Sequence, residues 1–306
     1  MSFTYEVLEK WKKRGADNKS KNTYEMIVGL LKKHCSDIVD VNNESVFLQG
    51  SYANHTNIKD DSDIDVVVLA YNVFGNNARE VLPPVKIEEF NRIYSDSYYT
   101  LEEFKEALYQ RLNGVFSSGG RINIERGNKT LKFNQNEEFW QYVPVDIVPA
   151  FEYRKYSANS VVDKDKQIEG VKIYDSYKKE YIINYPKVHK RNGEDKNQIY
   201  RTNGNYKETI RIFKQIKKHL IDTKVVSEDL MPSYNLECML YNVPDNLFKK
   251  DLVERIDVII YWLNNNLSMD FVEQHEMTKL FKDAQSFSNA KVFIQRCAFL
   301  AEHWGK

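Results

Sequence analysis

The chain reads as an α/β protein of two lobes, a mixed sheet followed by a helical C-terminal lobe. Three observations predict this. Short apolar, β-branched runs bounded by turn residues occupy the first part, at Val46-Phe47-Leu48, Ile64 to Leu69 and Val143 to Pro149. From Tyr206 onward the pattern changes to helical periodicity, over Tyr206 to Asp222, Ser233 to Tyr241, Leu247 to Asn265 and Ser286 to His303. Between them lies Tyr185 to Asn205, interrupted by Pro186, Gly193 and Gly204 and crowded with Asn, Lys and His. The main junction falls there, giving a domain 1–200 with an N-terminal helix and a helical domain 201–306.

Taken in order, residues from Phe3 to about Lys33 predict helix, with Tyr24, Ile27, Val28 and Leu31 at helical spacing. The strand through Phe47 and Leu48 leads into a Gly50-Ser51 turn, then a short helix or loop, then the strand opened by Asp63-Ile64-Asp65. Gly75, Pro83 and Pro84 mark a loop and an extended approach to the next helix. That helix, about Thr100 to Leu112, begins with the capping box Thr100-Leu101-Glu102-Glu103, and the Ser117-Ser118-Gly119-Gly120 cluster stops it. Ile122 to Arg126 and Thr130 to Phe133 predict a hairpin around Gly127-Asn128. Internal repeats and low-complexity tracts are absent from the sequence.

Composition narrows the function classes. Lys and Arg number 44, as do Asp and Glu, so the formal net charge is zero. A protein that tracks long nucleic acid carries a basic surplus; here only local clusters occur, Lys187 to Arg191 and Lys207 to Lys218, and a small charged ligand is the better expectation. Met1 to Arg14 shows no secretory pattern, and no apolar run approaches the ~20 residues of a membrane span. Cys35, Cys238 and Cys297 are scattered and odd in number, which argues for reduced thiols, a cytoplasmic location and no structural zinc.

The chemistry concentrates between Gly50 and Val68. Side chains alternate along a strand, so Asp63 and Asp65 point to one face and Ile64 to the core. Two close carboxylates repel unless a cation lies between them, and hard oxygen ligands suit Mg²⁺, which leaves positions for substrate phosphates. Gly50-Ser51 offers backbone N–H groups and a hydroxyl to an anion. Phosphate on one side and metal on the other point to phosphoryl or nucleotidyl transfer. An Asp-x-Asp alone is weak, since such pairs arise by chance; Asp146, set within the later apolar strand, strengthens it because a buried unpaired carboxylate is costly. Three carboxylates on adjacent strands could hold two ions, with Asp146 the ligand or base nearest the attacking oxygen. The alternative for Asp146 is a core residue capping a turn.

At these residues the sequence resembles the nucleotidyltransferase superfamily with the polymerase-β-like core. More closely it resembles the CD-NTases, bacterial relatives of cyclic GMP-AMP synthase and the oligoadenylate synthases. The likeness is carried by Gln49-Gly50-Ser51-Tyr52 with Asp63-Ile64-Asp65, by Val145-Asp146-Ile147-Val148-Pro149-Ala150, and by Tyr185-Pro186-Lys187-Val188-His189. It continues through Asn192-Gly193, Lys196-Asn197, the helix from Tyr206 to Lys214, and Pro232-Ser233-Tyr234-Asn235-Leu236-Glu237. These blocks keep family order over about residues 47 to 241. The resemblance implies that Asp63, Asp65 and Asp146 form the metal triad, holding two Mg²⁺ or Mn²⁺ ions, and that Gln49, Gly50 and Ser51 lie at the donor nucleotide. It further implies that Lys214, or its neighbours Arg211 and Lys207, and Ser233 hold the triphosphate, while Tyr234 stacks on a base. Arg211 and Lys214, three apart, share a helix face able to meet a phosphate; a merely solvated face is the alternative.

Asn184 falls near where relatives place a residue that reads a base edge. Its amide offers donor and acceptor, which points to a pyrimidine in one pocket; a turn Asn before Tyr185-Pro186 is the competing explanation. The zinc-binding insertion by which the vertebrate synthase docks DNA has no counterpart here, so activation by DNA is not expected, and His189 is expected to be structural. The resemblance thus implies an enzyme that makes a cyclic di- or oligonucleotide second messenger from NTPs, ATP and UTP among them, in bacterial antiphage signalling. The diffusible product, rather than a docked protein, would reach the effector. Two alternatives stand beside it: a nucleotidyltransferase that modifies RNA, a protein or a small molecule, and an inactive nucleotide-binding sensor. The helical lobe argues against the first and three convergent carboxylates against the second.

Overall fold

A computed structural model describes residues 3–15, 18–59, 63–117, 123–134, 142–160, 162 and 168–305. The chain divides into two compact units, one of Ala16–Tyr52 and Ser62–Val188, the other of Met1–Gly15, Ala53–Asp61 and His189–Lys306. The break therefore falls at Val188/His189 rather than at 200/201, and two early segments belong with the late helices.

Among the described residues of the sheet unit seven strands form one mixed sheet: β1 (Val46–Gln49), β2 (Ile64–Asn76), β3 (Asn123–Arg126), β4 (Leu131–Asn134), β5 (Val145–Lys155), β6 (Ile168–Asp175) and β7 (Glu180–Asn184). The order is β1-β2-β5-β4-β3, with β6 and β7 continuing from the far half of β5. Among the described residues only β2 and β5 run parallel. The first residues of β5 pair with β4 and its last with β6, so one strand serves two partners in succession. On one face Ile64, Val66, Val68, Val145, Ile147 and Phe151 pack against Ile27 and Leu31 of α2 (Asn18–His34) and Phe104 and Leu108 of α6 (Leu101–Ser117). The other face carries a smaller cluster around Val67, Val148 and Ile173. Alternation puts Asp65 and Asp146 on this second face.

The capping box forms reciprocally: Thr100 N–H donates to Glu103 Oε2 at 2.8 Å and Glu103 N–H to Thr100 Oγ1 at 3.1 Å. The hairpin around Gly127-Asn128 is present as β3 and β4; Ile122 and the Ser118-Gly119-Gly120 part of the helix stop lie outside the described residues. The sequence reading missed β6 and β7. Their turn is set by a side chain, since Asp175 Oδ1 accepts from the N–H groups of Tyr177 and Lys178 at 3.0 and 3.1 Å, with no Gly or Pro to announce it. The expected loop after Gly75 contains two helices, α4 (Ala78–Val81) and α5 (Pro84–Ile93), the second opened by a proline whose fixed φ suits a first turn.

The single N-terminal helix expected over Phe3 to Lys33 is two, α1 (Tyr5–Trp11) and α2. Gly15 lies so close to the 53–61 segment that a Cβ there would stand 2.5 Å from the Ile58 carbonyl oxygen. The junction segment is also ordered as helix: α7 (Pro186–Lys196) and α8 (Ile199–Thr202). In the helical unit α9 (Tyr206–Asp222), α10 (Ser233–Tyr241), α11 (Leu252–Asn266) and α12 (Ala284–His303) bury Ile212, Phe213, Leu236, Ile259 and Phe293 around one core, which Phe3 and Leu8 complete. Leu247–Lys249, expected as the start of α11, belong instead to a separate 3-10 turn, Asp245–Lys249. The remaining short helix, α3 (Gly50–Asn54), follows β1. All three cysteines are buried thiols, and among the described residues no helix is long and apolar enough to cross a membrane.

Candidate active site

The sheet register assembles the first part of the site. Gln49 on β1 is the cross-strand partner of Asp65 on β2, Asp65 of Asp146 on β5, and Asp146 of Lys132 on β4. Directly paired residues project to the same face, so an amide, two carboxylates and an ammonium stand in one row across four strands. Asp63, one residue before β2, is exposed at the strand mouth. Gly50 ends the row: its φ is +69°, and a Cβ would lie 2.4 Å from Asp65 Oδ2, so the left-handed turn and the close carboxylate both demand glycine. Ser51 follows, half-buried, in the first turn of α3.

The electrostatics of this row are unbalanced. Burial, then Asp146, then Asp63 push the Asp65 carboxyl up to about 7. Asp146 is also raised, chiefly by burial and further by Asp63, while Lys132 and the Thr130 hydroxyl pull it back. Gln49 Oε1 is buried with no hydrogen-bond partner among the described residues. Hard carboxylate oxygens that raise one another, beside an unused carbonyl oxygen, fit a hard divalent cation. Among the described residues no three His, Cys, Asp or Glu side chains stand close enough to hold an ion unaided. Oxygens from water or phosphate would therefore complete any coordination shell, as suits Mg²⁺.

The helical unit holds the second group of candidates. Lys207, Arg211 and Lys214 fall on one face of α9. Lys207 is half-buried; burial lowers its pKa, Glu194 works against this, and Lys190 and Arg14 lower it further, which places several cations near one another. Arg211 is committed to backbone: Nε donates to the Lys12 carbonyl at 2.5 Å and Nη1 to that of His55 at 2.7 Å. Lys214 is buried against Glu237, with Nζ 2.7 Å from Oε1. Ser233 is exposed at the start of α10. The Tyr234 ring stacks on His189 with centroids 5.4 Å apart and 26° between planes, and its hydroxyl donates to Glu273 Oε2 at 2.5 Å. Asn184, in the sheet unit, spends its Oδ1 on the Tyr185 N–H at 2.8 Å, the turn role, while its NH₂ is the donor end of the amide.

A family model described as the cGAS/DncV-like nucleotidyltransferase C-terminal helical domain matches residues 191–302, and one for a nucleotidyltransferase domain matches residues 28–172. The cyclic nucleotide synthase CdnE01 of Staphylococcus haemolyticus is 37% identical over 93% of this chain and 93% of its own. The chain belongs to the CD-NTase family. The cyclic UMP-AMP synthase of Rhodothermus marinus is 36% identical to this CD-NTase, with 98% of each chain covered. The structure of Rhodothermus marinus CdnE with Apcpp and Upnpp superposes with a TM-score of 0.80 at 34% identity, covering 99% of this chain and 98% of that one. That of Elizabethkingia meningoseptica CdnE with GTP and Apcpp gives 0.72 at 27%, covering 96% and 97%. The fold is the polymerase-β-like nucleotidyltransferase fold, the protein is an enzyme of that class, and the family works with divalent metal ions.

Sequence reasoning missed Lys132 and Thr130, which flank Asp146, and the role of Glu237. The alternation Leu131-Lys132-Phe133, with both neighbours buried, signalled that Lys132 faces away from the α2–α6 core, but only the register shows that it meets Asp146. Glu237 stood in a family block as a bare residue; nothing in the sequence shows that Lys214 is its partner.

Proposed function

We propose that this CD-NTase joins NTPs into a cyclic di- or oligonucleotide messenger, in the cytoplasm of a bacterium, as part of antiphage signalling. The observation that carries the reading is the register pair Asp65–Asp146 with Gln49 beside it, a carboxylate pair on a sheet face that Lys132 only partly offsets. Asp63, Asp65 and Asp146 would hold two Mg²⁺ or Mn²⁺ ions. Such ions neutralise triphosphate charge and make a bound hydroxyl a better nucleophile.

The chain's own groups do the remaining work. Gly50 and Ser51 receive the donor phosphates with backbone N–H and hydroxyl donors. Asp146, steadied by Thr130 and Lys132, takes the side nearest the attacking hydroxyl and accepts its proton. The 2′- or 3′-oxygen of one nucleotide bonds to the α-phosphorus of another, the bond to the β-phosphate oxygen breaks, and pyrophosphate leaves with the electron pair. A second attack closes the ring. Catalysis here is mostly positioning and charge stabilisation. In the helical unit Lys207, Lys214 and Ser233 serve the phosphates and Tyr234 a base, while Arg211, its Nε and Nη1 spent on the Lys12 and His55 carbonyls, holds backbone instead.

ATP and UTP are the proposed substrates. Relatives of comparable likeness are named for dipurine and for dipyrimidine products, so kinship leaves the bases open, and the pyrimidine rests on the NH₂ of Asn184, since its Oδ1 is held by the Tyr185 N–H. Incubation of the protein with all four NTPs and Mg²⁺ or Mn²⁺, then phosphatase and mass spectrometry, tests this. A phosphatase-resistant product containing uridine, absent from an Asp63→Ala, Asp65→Ala variant, is expected. A product without a pyrimidine would remove the role given to Asn184. Tight NTP binding with no product under either metal would favour the sensor alternative.

A further inference from the structure

Away from the metal row, the described residues of the helical unit bury an ionic network of their own. Glu237, Lys214, His189 and Thr56 are each at most 5% exposed, and they come from α10, α9, α7 and the 53–61 segment. Glu237 Oε1 accepts from Lys214 Nζ at 2.7 Å and from the Thr56 hydroxyl at 2.7 Å. Glu237 Oε2 lies 3.6 Å from His189 Nε2. His189 in turn is the surface on which Tyr234 stacks, and the Tyr234 hydroxyl is fixed at its far end by Glu273. One buried carboxylate therefore touches the cation proposed for phosphate and, through a single imidazole, the ring proposed for a base.

We propose that Glu237 is a positioning residue for the nucleotide, holding Lys214 and the His189–Tyr234 ring pair as one block so that phosphate and base are gripped in fixed relation. This rests on the function proposed above, in which Lys214 and Tyr234 contact nucleotide. Partly supplied buried ion pairs are costly, so the chain has a reason to complete this one: Lys214, Thr56 and His189 all face Glu237. Although burial alone would raise it, Lys214 and His189 hold the Glu237 carboxyl well below the usual range, so it stays an anion. Preorganising two binding groups before the ligand arrives lowers the ordering cost of binding. A fixed lysine and a fixed ring are such a pair.

The test is Glu237→Gln, which keeps shape and removes the charge, assayed in the full-length protein. A merely structural glutamate would reduce the fraction of active enzyme, lowering kcat and leaving KM alone. The expected result is a rise in KM for NTP of about ten- to a hundred-fold with kcat little changed, and an equal loss of affinity for a non-hydrolysable ATP analogue by calorimetry. In a Lys214→Met background the same substitution should add less than about twofold, the non-additivity of groups acting as a unit. An unchanged or lowered KM in a folded Glu237→Gln protein, or full additivity with Lys214→Met, overturns the proposal. If Lys214→Met and Tyr234→Leu each leave KM unaltered, the contacts assigned to the helical unit fail instead, whatever Glu237 does. Should Glu237→Gln not fold, Thr56→Val, which removes one hydrogen bond to the same carboxylate, carries the test. It should raise KM about threefold, and no rise overturns the proposal.

Discussion

Two carboxylates in this molecule have opposite electrostatic fates. Asp65, on the sheet, is surrounded by burial and by two further carboxylates, and its pKa is driven up to about 7. Glu237, in the helical unit, is more deeply buried but is met by Lys214, Thr56 and His189, and its pKa is driven down. The difference teaches how to read buried charge. A compensated carboxylate is complete within the fold, whereas one made worse by its neighbours needs a cation from outside. The first serves by the binding groups it holds in place, the second by chemistry.

Substitutions should separate the two. Asp65→Asn should cost the largest factor, about 10²- to 10³-fold or more in kcat, while the thermal midpoint of the protein rises, because a repelling buried charge has been removed. A loss of stability on Asp65→Asn would mean that the carboxylate is compensated after all. Next comes Gly50→Ala. Its Cβ would be forced against Asp65 Oδ2 in a φ of +69°, costing about 1–3 kcal/mol of backbone strain and, through misplacement of the carboxylate, about 10²-fold in rate. Circular dichroism melts and initial rates together check this.

The pH dependence sharpens the contrast further, with a smaller effect. Asp65 has a folded pKa near 7 against an ordinary value of 3.8, so between these the native state binds more protons than the unfolded one. Its cost to stability is absent below about 3.8, accumulates as pH rises from there to about 7, and is complete above. Glu237 has a folded pKa below its ordinary 4.5; its contribution is fully present above that value and is lost as pH falls below it. Melts of wild type against Asp65→Asn should therefore diverge as pH rises from 4 to 8, the variant gaining. Melts against Glu237→Gln should converge below about pH 4.5, the ordinary value of the group. Parallel curves in either pair would contradict the assignment.

Much of this was legible in the chain. The helices from Tyr206 to Asp222 and Ser233 to Tyr241 have the predicted bounds, because the apolar periodicity of the first is strong and their starts are marked by Asn205 and Pro232. The capping box at Thr100 needed only local chemistry. What stayed hidden depends on partners distant in sequence. The break at Gly15 comes from the approach of Ile58, the strand pair β6–β7 from a turn made by the side chain of Asp175, and the place of Lys132 from strand register. Asp63, Asp65 and Asp146 could be named from the sequence, and the register sets Asp65 beside Asp146. That Lys214 is buried against a carboxylate could not be read, since helix position reveals a face but not what lies across from it.

The most direct measurement of the central contrast is Mn²⁺ binding, followed by calorimetry and by the metal-induced shift in melting temperature, on wild type, Asp65→Asn and Glu237→Gln. The account predicts binding by the wild type that strengthens as pH rises through about 7, where Asp65 sheds its proton. It predicts loss of binding in Asp65→Asn and retention in Glu237→Gln. Undiminished Mn²⁺ binding by Asp65→Asn, or its loss on Glu237→Gln alone, would contradict the claim that the carboxylate row on the sheet is the cation site.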